Sequence, residues 1–205
     1  MGDLIVKAAT GTGNSLKLQD QAGQLCFSTI DDGGVITDKV HFPAGHIVQV
    51  QSSPKTDTHS HTSTTYTAVP GLERTITPQR AGSKIMVFAS VLLGAHTAFG
   101  TFAGMRLVVD IAGGGYTAFN VGNAAGSRTR ALGWIQAHYA NEVMTTNASI
   151  LHSPTYNLGE IITYRVETIA QQGGYAVCVN MSGQDADAQY HARGASNITV
   201  MEVVV

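Results

Sequence analysis

Apolar and polar residues alternate with period two over several stretches of this chain. Met105, Leu107, Val109 and Ile111 fall on one side, and Arg106 and Asp110 on the other. Ile162, Tyr164 and Val166 oppose Thr163, Arg165 and Glu167. Tyr175, Val177, Val179 and Met181 oppose Ala176, Cys178 and Asn180. Successive side chains of a strand point to opposite faces. The pattern therefore predicts half-buried strands, one face on a core and the other on solvent or a neighbour. Residues 84–93 are almost uniformly apolar, as expected of a central strand. Residues 198–205 end in three valines and predict a last buried strand near a subunit interface.

Between two strand-like runs, 47–51 and 84–91, lies a long Thr/Ser-rich polar segment in which Pro70-Gly71 reads as a turn. Gly, Ser and Asn clusters separate the other runs, and no convincing amphipathic helix interrupts them. By composition residues 131–139 admit a short helix; Trp134 and Tyr139 would anchor the core in either form. The expectation is an all-β chain with a β-sandwich or jelly-roll body.

Residues 1–43 differ from the rest. Short strand-like pieces (4–8, 15–19 and 25–30) are separated by the turn clusters Gly11-Thr12-Gly13-Asn14, Gln21-Ala22-Gly23 and Asp31-Asp32-Gly33-Gly34. They are too short and polar to close a core. They predict an extended N-terminal β arm that pairs with another subunit or a larger assembly, followed by a head domain over 44–205.

Composition narrows the function classes. A chain of 205 residues can bury a full core. Charged residues make up 13%, against an average of about 25%. That low share suits a surface covered by partner subunits; a Ser/Thr/Asn/Gln surface is the alternative. The formal net charge of −2 offers no basic field for phosphates, which argues against nucleic-acid binding. Cys26 and Cys178 lie far apart and indicate no disulfide framework. Cys178, inside an apolar run, reads as a buried thiol. Both fit assembly in a reducing cytoplasm. The first residues lack the basic stretch and long apolar run of a secretory signal, and no run approaches the length of a membrane span.

Candidate chemistry is sparse. Gly113-Gly114-Gly115 and Gly11-Thr12-Gly13 sit in no strand–turn–helix unit and read as turns, not phosphate cradles. Asp185-Ala186-Asp187 is a fragment of a calcium loop without its further acidic ligands, so it reads as a solvated turn. No Gly-x-Ser-x-Gly elbow or His-Glu-x-x-His motif is present. Glu160 and Glu167 cannot form a local carboxylate pair, so a glycan-degrading site would need acids assembled across strands. The chain reads as a non-enzyme with no cofactor. Tyr116 and Tyr190, in Gly- and Asp-rich contexts, are the aromatic candidates for contact with a receptor. Phe119, Trp134, Tyr139 and Tyr156 read more readily as core.

Several short motifs occur in a telling order: GHIVQV (45–50), KTDT (55–58), TTYT (64–67), PGL (70–72), ITP (76–78) and SKIMVF (83–88). Ser127-Arg128-Thr129-Arg130-Ala131 and Ile198-Thr199-Val200-Met201-Glu202-Val203 follow. Over residues 44–205 this order resembles tail-fibre, receptor-binding and other virion structural proteins of tailed bacteriophages, cyanophages included. The resemblance implies a virion component assembled in the host cytoplasm, a homotrimer with a β-sandwich body. Its partners would be other virion proteins and a host-surface glycan or protein. A tail-fibre or receptor-binding component is the first expectation and a capsid decoration (cement) protein the second; a glycan depolymerase is the remote third. In a parallel trimer, His59-Ser60-His61 would set pairs of imidazoles around the axis, a donor set that suits a transition metal. The Ser/Thr-rich flanks favour the plainer reading, a solvated polar loop.

Overall fold

The computed structural model describes residues 15–30, 33–36, 40, 42–96 and 100–205. All regular elements among them are strands, and the chain divides into two units, Met1–Ala44 and Gly45–Val205.

In the first unit β1 (Lys17–Gln19), β2 (Leu25–Ile30) and β3 (Gly33–Ile36) form an antiparallel sheet in sequence order. The first turn is held by the Asp20 carboxylate, which accepts the N–H groups of Ala22 and Gln24 at 2.9 and 2.8 Å. Gly33 and Gly34, expected to turn, instead begin β3, paired with Ile30 and Thr29. The expected strand at 4–8, the turn at 11–14 and Asp31-Asp32 lie outside the described residues.

The second unit contains β4 (Ile47–Lys55), β5 (His59–His61), β6 (Thr67–Ile76), β7 (Lys84–Ala95), β8 (Thr101–Ile111) and β9 (Thr117–Phe119). It continues with β10 (Gly133–Ala137), β11 (Val143–His152), β12 (Ile162–Ala170), β13 (Val177–Val179) and β14 (Ser196–Val203). Every pairing is antiparallel. The register shows that some short strands share one row. β13 faces Leu93 to Ala95 of β7, and β14 faces Lys84 to Ser90 along the same edge. β5 and β4 lie end to end against β13 and β14. β10 and β9 divide one edge of β8.

Eight rows result. Numbered along the chain they are β4/β5, β6, β7, β8, β9/β10, β11, β12 and β13/β14. One sheet has the order 1-8-3-6 and the other 2-7-4-5. This is the strand order of a jelly roll, two Greek keys folded into a double sheet. One core lies between the sheets. Ile85, Val87, Val91, Leu93, Ile198 and Val200 enter it from the first sheet, and Leu72, Met105, Leu107, Ile162, Tyr164 and Val166 from the second. Met105, Leu107, Ile162, Tyr164 and Val166 are apolar positions of the period-two runs; the residues of the first sheet come from the apolar runs 84–93 and 198–205, and Leu72 from the segment read as polar.

Four expectations are corrected. Pro70-Gly71 is not a turn between strands. It lies inside β6, where residues 69–72 bulge opposite the single residue Val166 and Gly71 has φ +82°. Residues 131–139 form no helix: Gly133 to Ala137 pair with β8, and that pairing overrides local composition. Trp134 and Tyr139 are not core anchors, being 40% and 67% exposed. In β10 the inward positions belong to Ile135 and Ala137, so alternation turns Trp134 outward. Asn180, assigned to an outer polar face, is buried, together with Val177, Cys178 and Val179.

Candidate functional site

The jelly roll presents two unlike outer faces. On the first sheet, register places Val50, Met201, Met86 and Leu151 side by side across four rows. The next line is Ser52, Thr199, Phe88 and Ser149, with Ser52 and Thr199 hydroxyls bonded at 2.8 Å. Pro54, Asn197, Ser90 and Asn147 follow. Val50, Phe88 and Leu151 are exposed. Of the side chains these four rows turn outward, only Lys84, at one end, is charged. A shallow depression of about 330 Å³ lies among Phe88, Ser90, Asn147, Ser149 and Asn197.

The second sheet carries charge. Arg106 on β8 and Glu167 on β12 are cross-strand partners, and Arg106 donates from Nε and Nη2 to one carboxylate oxygen at 2.9 and 2.7 Å. Arg165 donates to the other oxygen at 2.6 Å and stands 3.8 Å from Glu73. Each guanidinium also covers an aromatic ring: Arg106 lies 4.1 Å from the Tyr66 centroid, and Arg165 3.5 Å from that of Tyr116. The Tyr116 hydroxyl donates to Glu73 at 2.9 Å; burial first, then this bond, raises its pKa. Two arginines and two glutamates are thus tied together, with Arg165 Nε left buried without a partner, and Glu167 is buried. Such a lattice fixes the face. Sequence reading put Arg106, Arg165 and Glu167 at polar strand positions, but which residues stand opposite each other follows from register, which spacing does not encode.

His59 and His61 are brought together on β5, ring centroids 5.8 Å apart. They form a short edge strand, not the expected loop. They pair with Val179 and Val177, whose side chains enter the core, so both rings turn toward their own chain. His61 Nδ1 accepts the Ser63 N–H at 3.2 Å, which leaves Nε2 to donate to Thr168 Oγ1 at 2.9 Å. Burial first, then the neighbouring His59, lowers the His61 pKa. Burial and then the Lys55 charge lower that of His59, whose Nε2 is buried without a partner. A metal ion here would have to displace a bond of His61. Among the described residues no group of three or more His, Cys, Asp or Glu could hold a metal ion.

Tyr116 and Tyr190 share no contact. Tyr190 is 63% exposed and lies beside His191, ring centroids 4.7 Å apart, in the excursion between β13 and β14. Asp185 of the same excursion is paired with Arg193, which holds its carboxyl below the usual range. The excursion is anchored by Asn180, in a left-handed conformation with φ 62°. Its Nδ2 donates to the carbonyls of Lys55 and Asp57 at 2.9 Å each, and its Oδ1 accepts from the Ser196 hydroxyl. Gly183 passes so close to β7 that a Cβ there would lie 2.7 Å from the Ala95 carbonyl carbon. Cys178 is a free thiol, and burial pushes its pKa up to about 11.

No protein-family model matches this chain, and no curated protein matches it.

Proposed function

We propose that this protein is a virion structural component of a tailed bacteriophage: a homotrimeric tail-fibre or receptor-binding protein that joins the particle through residues 1–43 and presents the jelly roll. The observation that carries the reading is the uncharged outer face of the first sheet. Interfaces are depleted of charge at their centres, and monomers rarely expose large apolar patches. Four rows about 4.8 Å apart and about eight residues long cover roughly 500 Å². A stable interface takes about 800 Å² from each partner, so this face would form its centre and the flanking loops its rim. The motif order over residues 44–205 supplies the phage assignment, and the jelly roll is an architecture that viral capsid domains use. The work assigned is adhesion and assembly, without turnover.

The test is quantitative proteomics of purified phage particles, with the chain's copy number measured against the major capsid and tail proteins. A copy number matching the tail appendages, in multiples of three, is expected. A number scaling with the capsid lattice would instead make the protein a capsid decoration protein. Absence from particles would refute the virion assignment.

A further inference from the structure

We propose that the groove between Trp134 and the loop of residues 120–131 binds an acidic sugar, a pyranose bearing a carboxylate. The inference rests on the receptor-binding reading for its biological setting only; the site itself is argued from geometry. Trp134 is the chain's single tryptophan. It is 40% exposed, yet its ring is fixed. It lies so close over Gly104 that a Cβ there would sit 2.6 Å from Cε3 of the indole and 2.8 Å from Ile169 Cγ2. Phe102 flanks it, rings 6.3 Å apart and inclined by 30°. The indole is thus a rigid plate, backed by the sheet, with apolar surface left open to solvent. A plate already fixed loses little entropy on binding.

The loop beside it is tied down. Asn120 turns the chain with φ 52°. The Gly122 N–H donates to the Ala131 carbonyl at 3.3 Å, and Arg130 Nε donates to the Gly122 carbonyl at 2.6 Å. The Tyr66 hydroxyl holds the Arg130 carbonyl at 2.8 Å. Fixing Nε leaves the terminal N–H groups of Arg130 to reach a ligand. Among the described residues the Arg128 side chain reaches only the Ala125 carbonyl, at 3.4 Å. Arg106 and Arg165 on the same sheet are both paired with Glu167; among the described residues no carboxylate pairs with Arg128 or Arg130. The groove holds about 280 Å³, and Asn123 and Thr129 line it with the two arginines and Trp134.

These parts select a ligand class. The C–H face of a pyranose ring stacks on an indole. A ring carboxylate takes charge-assisted hydrogen bonds from guanidinium groups in a planar fork. Asn123 and Thr129 provide partners for hydroxyls. The volume is near the lower end for ligand pockets, about 300 Å³, and suits a single sugar residue. A nucleobase would also stack on Trp134. A nucleic-acid track, however, needs a run of cations along the backbone, and a chain of net charge −2 lacks that field.

Trp134 reports directly on its own site. Its fluorescence in the full chain is titrated with glucuronate, galacturonate and N-acetylneuraminate glycosides, with the matching neutral glycosides, with acetate and with oligothymidylate. Isothermal calorimetry runs in parallel. A saturable response to at least one acidic sugar is expected, about tenfold tighter than to its neutral counterpart, the ratio one charge-assisted hydrogen bond supplies. Arg128→Gln, which leaves the Arg130 tie to Gly122 in place, should bring the acidic sugar toward the neutral level without changing the unliganded emission. The proposal is overturned by no response to any acidic sugar, by equal affinity for neutral ones, by an equal response to acetate, or by tighter binding of oligothymidylate. Neither arginine lies on the uncharged face. Lost sugar binding in an intact trimer therefore refutes the groove alone, and a monomer that binds the sugar refutes the assembly reading alone.

Discussion

Replacing Glu202 with alanine should destabilise the jelly roll more than most single substitutions. Glu202 is fully buried near the end of β14. Its carboxylate accepts the N–H of Gln79 at 2.9 and 3.0 Å, the N–H of Arg80 at 2.9 Å, and Gln49 Nε2 at 2.7 Å. It therefore ties the crossover between β6 and β7, which passes from one sheet to the other, to the closing strand. The same crossover is held by the Tyr156 hydroxyl, which donates to the Arg80 carbonyl at 2.7 Å. Alanine leaves two backbone N–H groups without an acceptor, at about 1–3 kcal/mol each, or about 4 kcal/mol at the middle of the range. Gln49 keeps its bond to the Thr77 carbonyl. Glutamine at 202 retains the shape and one acceptor oxygen, so about half that loss is expected. The assay is urea unfolding at fixed protein concentration, followed by far-ultraviolet circular dichroism. With a slope of about 2 kcal/mol per molar urea, the alanine midpoint should fall by about 2 M and the glutamine midpoint by about 1 M. Equal midpoints for wild type and alanine would refute the reasoning. They would mean that burying the charge costs as much as its hydrogen bonds contribute.

Three further outcomes are expected. Gly104→Ala should lift Trp134 off the sheet, costing about 1–3 kcal/mol by overpacking; urea unfolding and a red-shifted Trp134 emission check this. Stability should fall as pH drops below 6.5: burial lowers the folded-state pKa of His61, His59 and His152 from that value, so the unfolded chain binds more protons in this window. Thermal melts from pH 8 to pH 5 should be flat above about 6.5 and decline below it. Deleting residues 1–40 should leave a soluble, folded head whose cooperative melt matches that of the full chain, but which no longer joins particles; an unfolded product would show that the arm belongs to the fold.

The strands were legible where alternation was clean. Met105 to Ile111 and Ile162 to Glu167 became β8 and β12 with the expected inward residues. Their pairing was not legible, because the Arg106–Glu167–Arg165 lattice depends on register across more than fifty residues of chain. Trp134 was misread because a large aromatic suggests a core when its strand neighbours are unknown. Once Ile135 and Ala137 are fixed inward, its exposure follows from parity. Cys178 was read correctly as a buried thiol, yet Asn180 was missed. A polar residue at the end of an apolar run resembles a solvated turn, and only its bonds to Lys55, Asp57 and Ser196 give it a place inside. The His59–His61 pair was visible as a spacing; its inward direction came from the edge pairing with β13.

The claim that the uncharged face of the first sheet assembles the protein is tested most directly by sedimentation equilibrium. The wild-type chain and a Met86→Glu, Phe88→Glu variant are compared at micromolar concentration. The account predicts a wild-type mass three times the 21.5 kDa of one chain and a folded monomer for the variant. A monomeric wild type, or a variant that remains trimeric, would contradict it.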